Sequence, residues 1–207
     1  MGELTGDRRP TLRTERIRLE PLTSRHAELL VELDSDPEVL RHIFGRALPR
    51  DEVLTEHLPR RLRPDGPPRG IGCWAGFGTD DGRFLGWWTL AVDDEDPTTA
   101  ELGYRLRRDA WGHGLATEGS RALLDHAFGT LRLPYVWATT MAVNAGSRGV
   151  MRKLGMTHVR TEVQEWDDPL PGAELGEVRY EISREDWALP GSGISPGPEG
   201  RTSARRS

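Results

Sequence analysis

The stretch RRDAWGHGLATEG, residues 107–119, decides how the rest of the chain is read. Gly112, Gly114 and Ala116 alternate along it, and a helix-forming run, EGSRALLDHAF (118–128), follows at once. Small residues just ahead of a helix serve either a tight turn or the close approach of something to the backbone. At a helix N-terminus the usual guest is an anion, because N–H groups converge there and the helix dipole adds positive potential. Two known phosphate motifs fail on the letters. A dinucleotide fingerprint needs a third Gly where Thr117 stands, and an acid about 20 residues on, near Leu133–Tyr135, where there is none. A Walker loop needs G-x-x-x-x-G-K-[ST], which is absent. A bare anion cradle and a plain turn remain.

Outward from this stretch, strands and helices follow from periodicity. Ile17–Pro21 alternates as a strand. Thr23 or Ser24 can cap a helix carrying Leu29, Leu30 and Leu33, a second helical piece starts at Asp36-Pro37, and a third runs over Asp51–Leu62 with a kink expected at Pro59. RPDGPPRG (63–70) reads as a loop. Ile71–Gly78 and Phe84–Val92 read as strands joined by TDDGR, a hairpin signal. The acidic loop DDEDP (93–97) leads to a strand over Thr99–Arg107. Leu133–Val143 is a strand, and a helix with Ser147, Val150, Met151 and Leu154 on one face follows, stopped by Gly155. Met156–Glu165 and Glu177–Ser183 close the pattern. Such an order predicts an α+β (mixed α/β) fold, with helices on the faces of one mixed sheet, rather than a doubly wound βαβ alternation.

The 207 residues suit a single domain over 11–188, with a loose arm at 1–10 and a Gly/Pro/Ser-rich disordered tail at 189–207. A formal net charge of −5 argues against nucleic acid as a partner. The single cysteine, Cys73, forbids an internal disulfide and points to the cytoplasm. No apolar run is long enough to span a membrane. Histidines 26, 42, 57, 113, 126 and 158 lack ligand spacing, so no metal site is expected.

Taken together, Glu101-Leu-Gly-Tyr-Arg-Leu, Trp111-Gly-His-Gly-Leu-Ala-Thr-Glu, Asn144-x-x-Ser147 and Lys153-Leu-Gly-Met156 resemble the GNAT superfamily of acyl-CoA-dependent N-acetyltransferases, most of all its branch of ribosomal-protein N-terminal acetyltransferases. The resemblance covers about residues 11–188 and is sharpest over 99–156. It implies a central twisted mixed sheet with helices on both faces. It implies that the turn Trp111, Gly112, His113, Gly114, Leu115, Ala116, Thr117 binds the pyrophosphate of acetyl-CoA through backbone amides. Trp111 stands where the wider superfamily has Gln or Arg, and this branch often carries an aromatic there. The strand over 101–107 is expected to splay from 135–143. Leu106 and Arg107 then offer main-chain hydrogen bonds to the pantetheine arm, and Asn144 meets the arm from the other side. By its residue type alone, Asn144 reads equally as a helix cap.

Acetyl transfer to an amine needs a neutral amine, a stabilised oxyanion and a thiolate that can leave. The resemblance makes Glu101 the candidate base, working through water, and a backbone N–H near Leu106 the oxyanion donor. Superfamily members often protonate the thiolate with a Tyr in the helix after Asn144, but the matching residue here is Met151, which has no proton to give. Ser147, one turn earlier on the same face, takes the role of proton donor, or at least of a hydrogen bond to the sulfur. Ala145-Gly-Ser-Arg-Gly149 also matches a nucleophile elbow, yet no acid separates Ser147 from His158, the only later histidine, which excludes a hydrolase triad in that order. Trp87 and Trp88 fall beside the expected acceptor groove; adjacent on a strand, they point to opposite faces, and either could line an acceptor site with Glu101. The expectation is direct transfer from acetyl-CoA to a primary amine, on a protein N-terminus or a small molecule, in a ternary complex. A non-catalytic acyl-CoA-binding or regulatory protein is the alternative, and a homodimer is left open.

Overall fold

Eight strands form one sheet in the computed structural model, which describes residues 9–62, 70–92 and 96–188. The arm up to residue 8, the loop 63–69, the acidic residues 93–95 and the tail from 189 lie outside the described residues. The strands are β1 (Leu12–Arg13), β2 (Ile17–Pro21), β3 (Gly72–Gly78), β4 (Phe84–Val92), β5 (Ala100–Leu106), β6 (Tyr135–Met141), β7 (Thr157–Glu162) and β8 (Glu177–Ser183). Their spatial order is β1-β2-β3-β4-β5-β6-β8-β7. Neighbours are antiparallel except β5 and β6, which are parallel, so the sheet is mixed as expected.

The helices are α1 (Ala27–Asp34), α2 (Pro37–Leu40), α3 (Arg50–Glu52), α4 (Leu58–Arg61), α5 (Leu115–Asp125), α6 (Ala145–Lys153) and α7 (Arg184–Ala188). Local chemistry sets their ends. Asp36 accepts the Glu38 amide at 2.9 Å, with Pro37 in the first turn, where its missing N–H costs nothing. Gly155, at φ +82°, ends the run that α6 begins. The helix expected over 51–62 is interrupted by a wide π-turn at Val53–His57. Pro59 cannot donate to the carbonyl four residues back, and its ring crowds that carbonyl, so the chain widens just before it. The two-residue β1 and the short α7 were not expected; both are shorter than a periodicity can register.

Because side chains alternate along strands, the sheet carries two cores. On one face α1, α2 and α4 bury Leu30, Leu33, Leu40 and Leu58 against Cys73, Ala75 and Trp87. On the other, α5 and α6 bury Leu123, Leu124, Met151 and Leu154 against Trp74, Trp88 and Leu102. Each such side chain contributes about 1.5–3 kcal/mol on leaving water. Among the described residues no helix is long and apolar enough to cross a membrane.

Candidate active site

β5 and β6 pair only at Ala100–Val136 and Glu101–Trp137, and beyond Glu101 the strands part. The gap opens into a cavity of about 1420 Å³ that reaches both faces of the sheet. From the α5/α6 face it is lined by Leu106, Trp111, Gly112, Gly114–Thr117, Asn144 and Ser147. From the opposite face come Trp87, Glu101, Arg105 and the segments around 38–44 and 162–170.

The glycine-rich turn is held from three directions. Trp111 Nε1 donates to the Leu106 carbonyl at 2.9 Å, tying the turn to the end of β5. Arg16 donates to the His113 carbonyl at 3.0 Å and, through Nε, to Glu118 at 2.7 Å. Glu118 also accepts from Thr14 Oγ1 at 2.6 Å and from the Arg16 amide at 2.9 Å. Partial burial opposes its charge, but the hydrogen bonds from Thr14 and Arg16 prevail and hold the carboxyl below its ordinary range. Beneath the turn, Trp88 packs so closely on α5 that a Cβ at Gly119 would lie 2.5 Å from its ring, and its indole N–H donates to the Ala116 carbonyl at 3.3 Å.

Gly112 and Gly114 sit at φ +76° and +78°, a region that costs other residues roughly 1–2 kcal/mol. A Cβ at Gly112 would meet nothing within 4 Å, and one at Gly114 would meet only the Arg16 guanidinium at 3.7 Å. No packing forbids a side chain here; the glycines leave the backbone bare. Gly114, as the residue before α5, offers no side chain to cap the first amides of the helix. Bare N–H groups at a helix start fit a diphosphate.

Several expected contacts are corrected. Trp88 does not line the cavity; it is fully buried under α5 and supports the turn. Trp87, on the other face, does line it. His113 is exposed and outside the lining. Arg107 is outside it too: its amide donates to the Leu85 carbonyl at 3.0 Å, and its guanidinium pairs with Glu32 and Asp109. Asn144 lines the cavity, and its side chain is the cap of α6, accepting the Ser147 amide at 3.1 Å and donating to Thr140 Oγ1 at 3.1 Å.

At the parting of the strands, Glu101 is half-buried and accepts from Thr139 Oγ1 at 3.2 Å. Across the gap Ser147 Oγ lies 3.0 Å from the phenol oxygen of Tyr104. Burial, only partly offset by the bond to Ser147, pushes that phenol up to about 12, so it keeps its proton at neutral pH. Met151 lines the cavity with no proton to donate. Sequence reasoning missed Tyr104, although strand alternation places it with Leu102 and Leu106 on the α5/α6 face. It also missed Arg105, which is buried beside Trp87 and paired with the fully buried Asp34 at 2.5 Å. The loop bearing Trp166 gave no periodic signal at all. Among the described residues no cluster could hold a metal ion.

Known proteins share this sequence pattern and fold. The family described as "Acetyltransferase (GNAT) domain" matches residues 16–157. The FsC-acetyl coenzyme A-N(2)-transacetylase of Aspergillus fumigatus is 42% identical over 186 residues, covering 86% of this chain and 78% of that protein. An acetyltransferase (GNAT family) from Bacillus anthracis superposes with a TM-score of 0.69 at 19% identity, over 85% of this chain and 99% of that one. Spermidine N-acetyltransferase from Vibrio cholerae, solved in complex with CoA and spermine, gives a TM-score of 0.70 at 14% identity, over 85% and 100% of the two chains. The chain belongs to the GNAT family, as an N-acetyltransferase whose acyl donor is acetyl-CoA.

Proposed function

We propose that this chain transfers the acetyl group directly to a primary amine held on the Glu101 side of the gap while acetyl-CoA lies on the Ser147 side. The observation that carries this is the opening of the β5–β6 ladder immediately after Glu101, with Glu101 and Ser147 lining one cavity from its two faces. Acetyl-CoA brings the acetyl thioester. The amides of the 112–117 turn would hold its diphosphate, and the main chain at Leu106 its pantetheine arm. Glu101 would take the ammonium proton through water, steadied by Thr139. A backbone N–H near Leu106 would stabilise the oxyanion, and the Ser147 hydroxyl would donate a hydrogen bond to the departing sulfur.

The acceptor side supports an amine carried on a partly apolar body. Ile43, Val163 and Trp166 are large exposed apolar residues that line the cavity, alongside the carboxylates of Glu38, Glu101 and Asp168. Carboxylates favour an incoming ammonium, and apolar surface around a cavity mouth marks a binding site. By its similarity to the fungal enzyme, the chain would act on a comparable N(2) amine. The test is an acceptor screen with acetyl-CoA and thiol detection. Turnover with amino-acid-derived amines at their N(2) position supports the reading; thiol release that no amine accelerates overturns it.

A further inference from the structure

The phenol that the helix lacks at Met151 is present in the cavity from another element. Tyr104 lies on β5, on the face turned to α6; its phenol oxygen is 3.0 Å from Ser147 Oγ, where either hydroxyl can donate, and its proton can also go to the Ser147 carbonyl at 3.3 Å. Both residues line the cavity. The Ser147 backbone is fixed independently, because Asn144 Oδ1 takes its amide at 3.1 Å. The serine hydroxyl therefore has a fixed base and one neighbour that can set its rotation.

We propose that Tyr104 is a positioning residue for the leaving group: its phenol donates to Ser147 Oγ and so directs the serine proton at the sulfur of coenzyme A. The proposal rests on the role given to Ser147 above. The physical argument is a matter of direction. A serine hydroxyl has one proton and two acceptor positions. Left alone near a helix start it can turn back onto a backbone carbonyl. The phenol has one proton and two acceptors on Ser147; Oγ at 3.0 Å is nearer than the carbonyl at 3.3 Å, and a phenol is a stronger donor than an alcohol, so the phenol proton goes to Oγ. With the Tyr104 proton occupying one serine lone pair, the serine proton is left for a third group, and the cavity is where that group lies. Hydrogen bonds in such a chain also strengthen one another.

Magnitudes decide whether the pair gives up a proton or only shares one. The phenol is held at about 12, whereas an ordinary thiol titrates near ~8.5. Full transfer to the thiolate would be uphill by more than three pH units, and from the alcohol by more still. The pair therefore solvates the sulfur. The C–S bond breaks with its electron pair on sulfur, which leaves as a thiolate hydrogen-bonded to Ser147. Nitrogen sheds two protons on the way from ammonium to amide: one passes to Glu101 through water before attack and the other to solvent as the C–N bond forms. Glu101 then releases its proton to solvent, and solvent later returns one to the thiolate. The phenol and the alcohol end as they began.

The test titrates coenzyme A itself on the protein, following the ultraviolet absorbance of its thiolate, so no acceptor is required. A donated hydrogen bond favours the thiolate and lowers the thiol pKa. Tyr104→Phe and Ser147→Ala are each expected to raise the bound-thiol pKa by about one pH unit relative to the unaltered protein, the scale of one charge-assisted hydrogen bond. Calorimetric affinity for CoA should stay within about threefold, because the diphosphate contacts are elsewhere. If Ser147→Ala moves the pKa and Tyr104→Phe does not, the Tyr104 proposal is overturned and the Ser147 role stands. If neither moves it, both fall. If only Tyr104→Phe moves it, the phenol acts on sulfur directly and the proposal is again overturned. Should Tyr104→Phe fail to fold, a fluorotyrosine at 104 keeps the shape and sharpens the donor; the bound-thiol pKa must then fall below that of the unaltered protein, and an unchanged value overturns the proposal.

Discussion

On the donor side of the gap one stretch, within residues 106–117, supplies a strand end, a turn and a helix start to the cavity, joined by Tyr104, Asn144 and Ser147. On the acceptor side the lining is gathered from separate places: 38–44, Trp87, alternate residues of β5, and 162–170. The donor side presents mostly backbone, bared by glycines and braced from behind by Arg16, Glu118, Thr14 and Trp88. The acceptor side presents side chains: carboxylates, the arginines Arg41 and Arg105, rings and aliphatics. Backbone recognition suits a ligand whose charged diphosphate is always the same. Side-chain recognition suits a ligand that differs from one relative to another.

If that division holds, the largest single loss should come from filling the bare backbone. Gly114→Glu would place a side chain at φ +78° and a negative charge where the diphosphate is to lie. Acetyl-CoA affinity measured by calorimetry should fall by at least about 100-fold, roughly 2.7 kcal/mol. Unchanged affinity would break the comparison at its strongest point, because the turn would then be only a turn.

Next in size is the residue where the two sides meet. An alkylammonium has a pKa near ~10 and an α-ammonium near ~8, so an amine must lose a proton before attack. Glu101→Gln keeps the shape and removes the basicity. kcat/KM should drop about 100-fold at neutral pH and recover as pH approaches the amine's own pKa, with CoA affinity unchanged. Parallel pH profiles for the two proteins would make Glu101 an orienting group for the acceptor rather than a base.

The same division explains what could be read from the letters. The donor side was legible because its chemistry is local: Gly112, Gly114 and Ala116 announce a bare turn, and EGSRALLDHAF announces the helix behind it. β2 and β8 have the expected limits because their alternation is clear, and β4 because it is a mostly apolar run that begins just after a hairpin signal. Tyr104 was hidden because its meaning depends on which helix covers which face. Asp34 and Arg105 form a buried pair 71 positions apart, which no spacing rule reports. Trp88 was misplaced because a sequence shows that two neighbours point to opposite faces but not that a helix seals one of them, and Arg107 because a sequence does not show which neighbouring strand takes its amide, here β4 at Leu85.

A smaller effect tests the acceptor side alone. Trp166 is 62% exposed and lines the cavity mouth. Covering roughly 50–60 Å² of its ring would contribute about 1.4 kcal/mol, or tenfold in affinity. Trp166→Ala should raise the acceptor KM about tenfold and leave kcat and CoA affinity alone. A fall in kcat instead would mean that the 162–170 loop shapes the reacting geometry and is not merely a contact surface.

The smallest expected effect separates the two sides by pH. His26, just ahead of α1, is buried, and its Nδ1 accepts the Thr23 amide at 3.0 Å. Burial, and then the neighbouring Arg25, push its pKa from 6.5 down to about 4. The unfolded chain therefore binds a proton near 6.5 that the folded chain refuses until about 4, so folded-state stability is lost as pH falls through that window. Glu118, behind the phosphate turn, works in a lower window. Its pKa is depressed from 4.5, so its contribution is complete above that value and is lost only as pH falls below it. At pH 5 the two sides should differ. Hydrogen-exchange protection of residues 24–34 should decline relative to pH 7, while that of 115–125 holds. His26→Gln retains an acceptor that does not titrate, and it should remove most of the decline in 24–34. If 115–125 loosens in step with 24–34, the sheet transmits the change across its full width, and the two sides of the gap form a single cooperative unit in spite of their different construction.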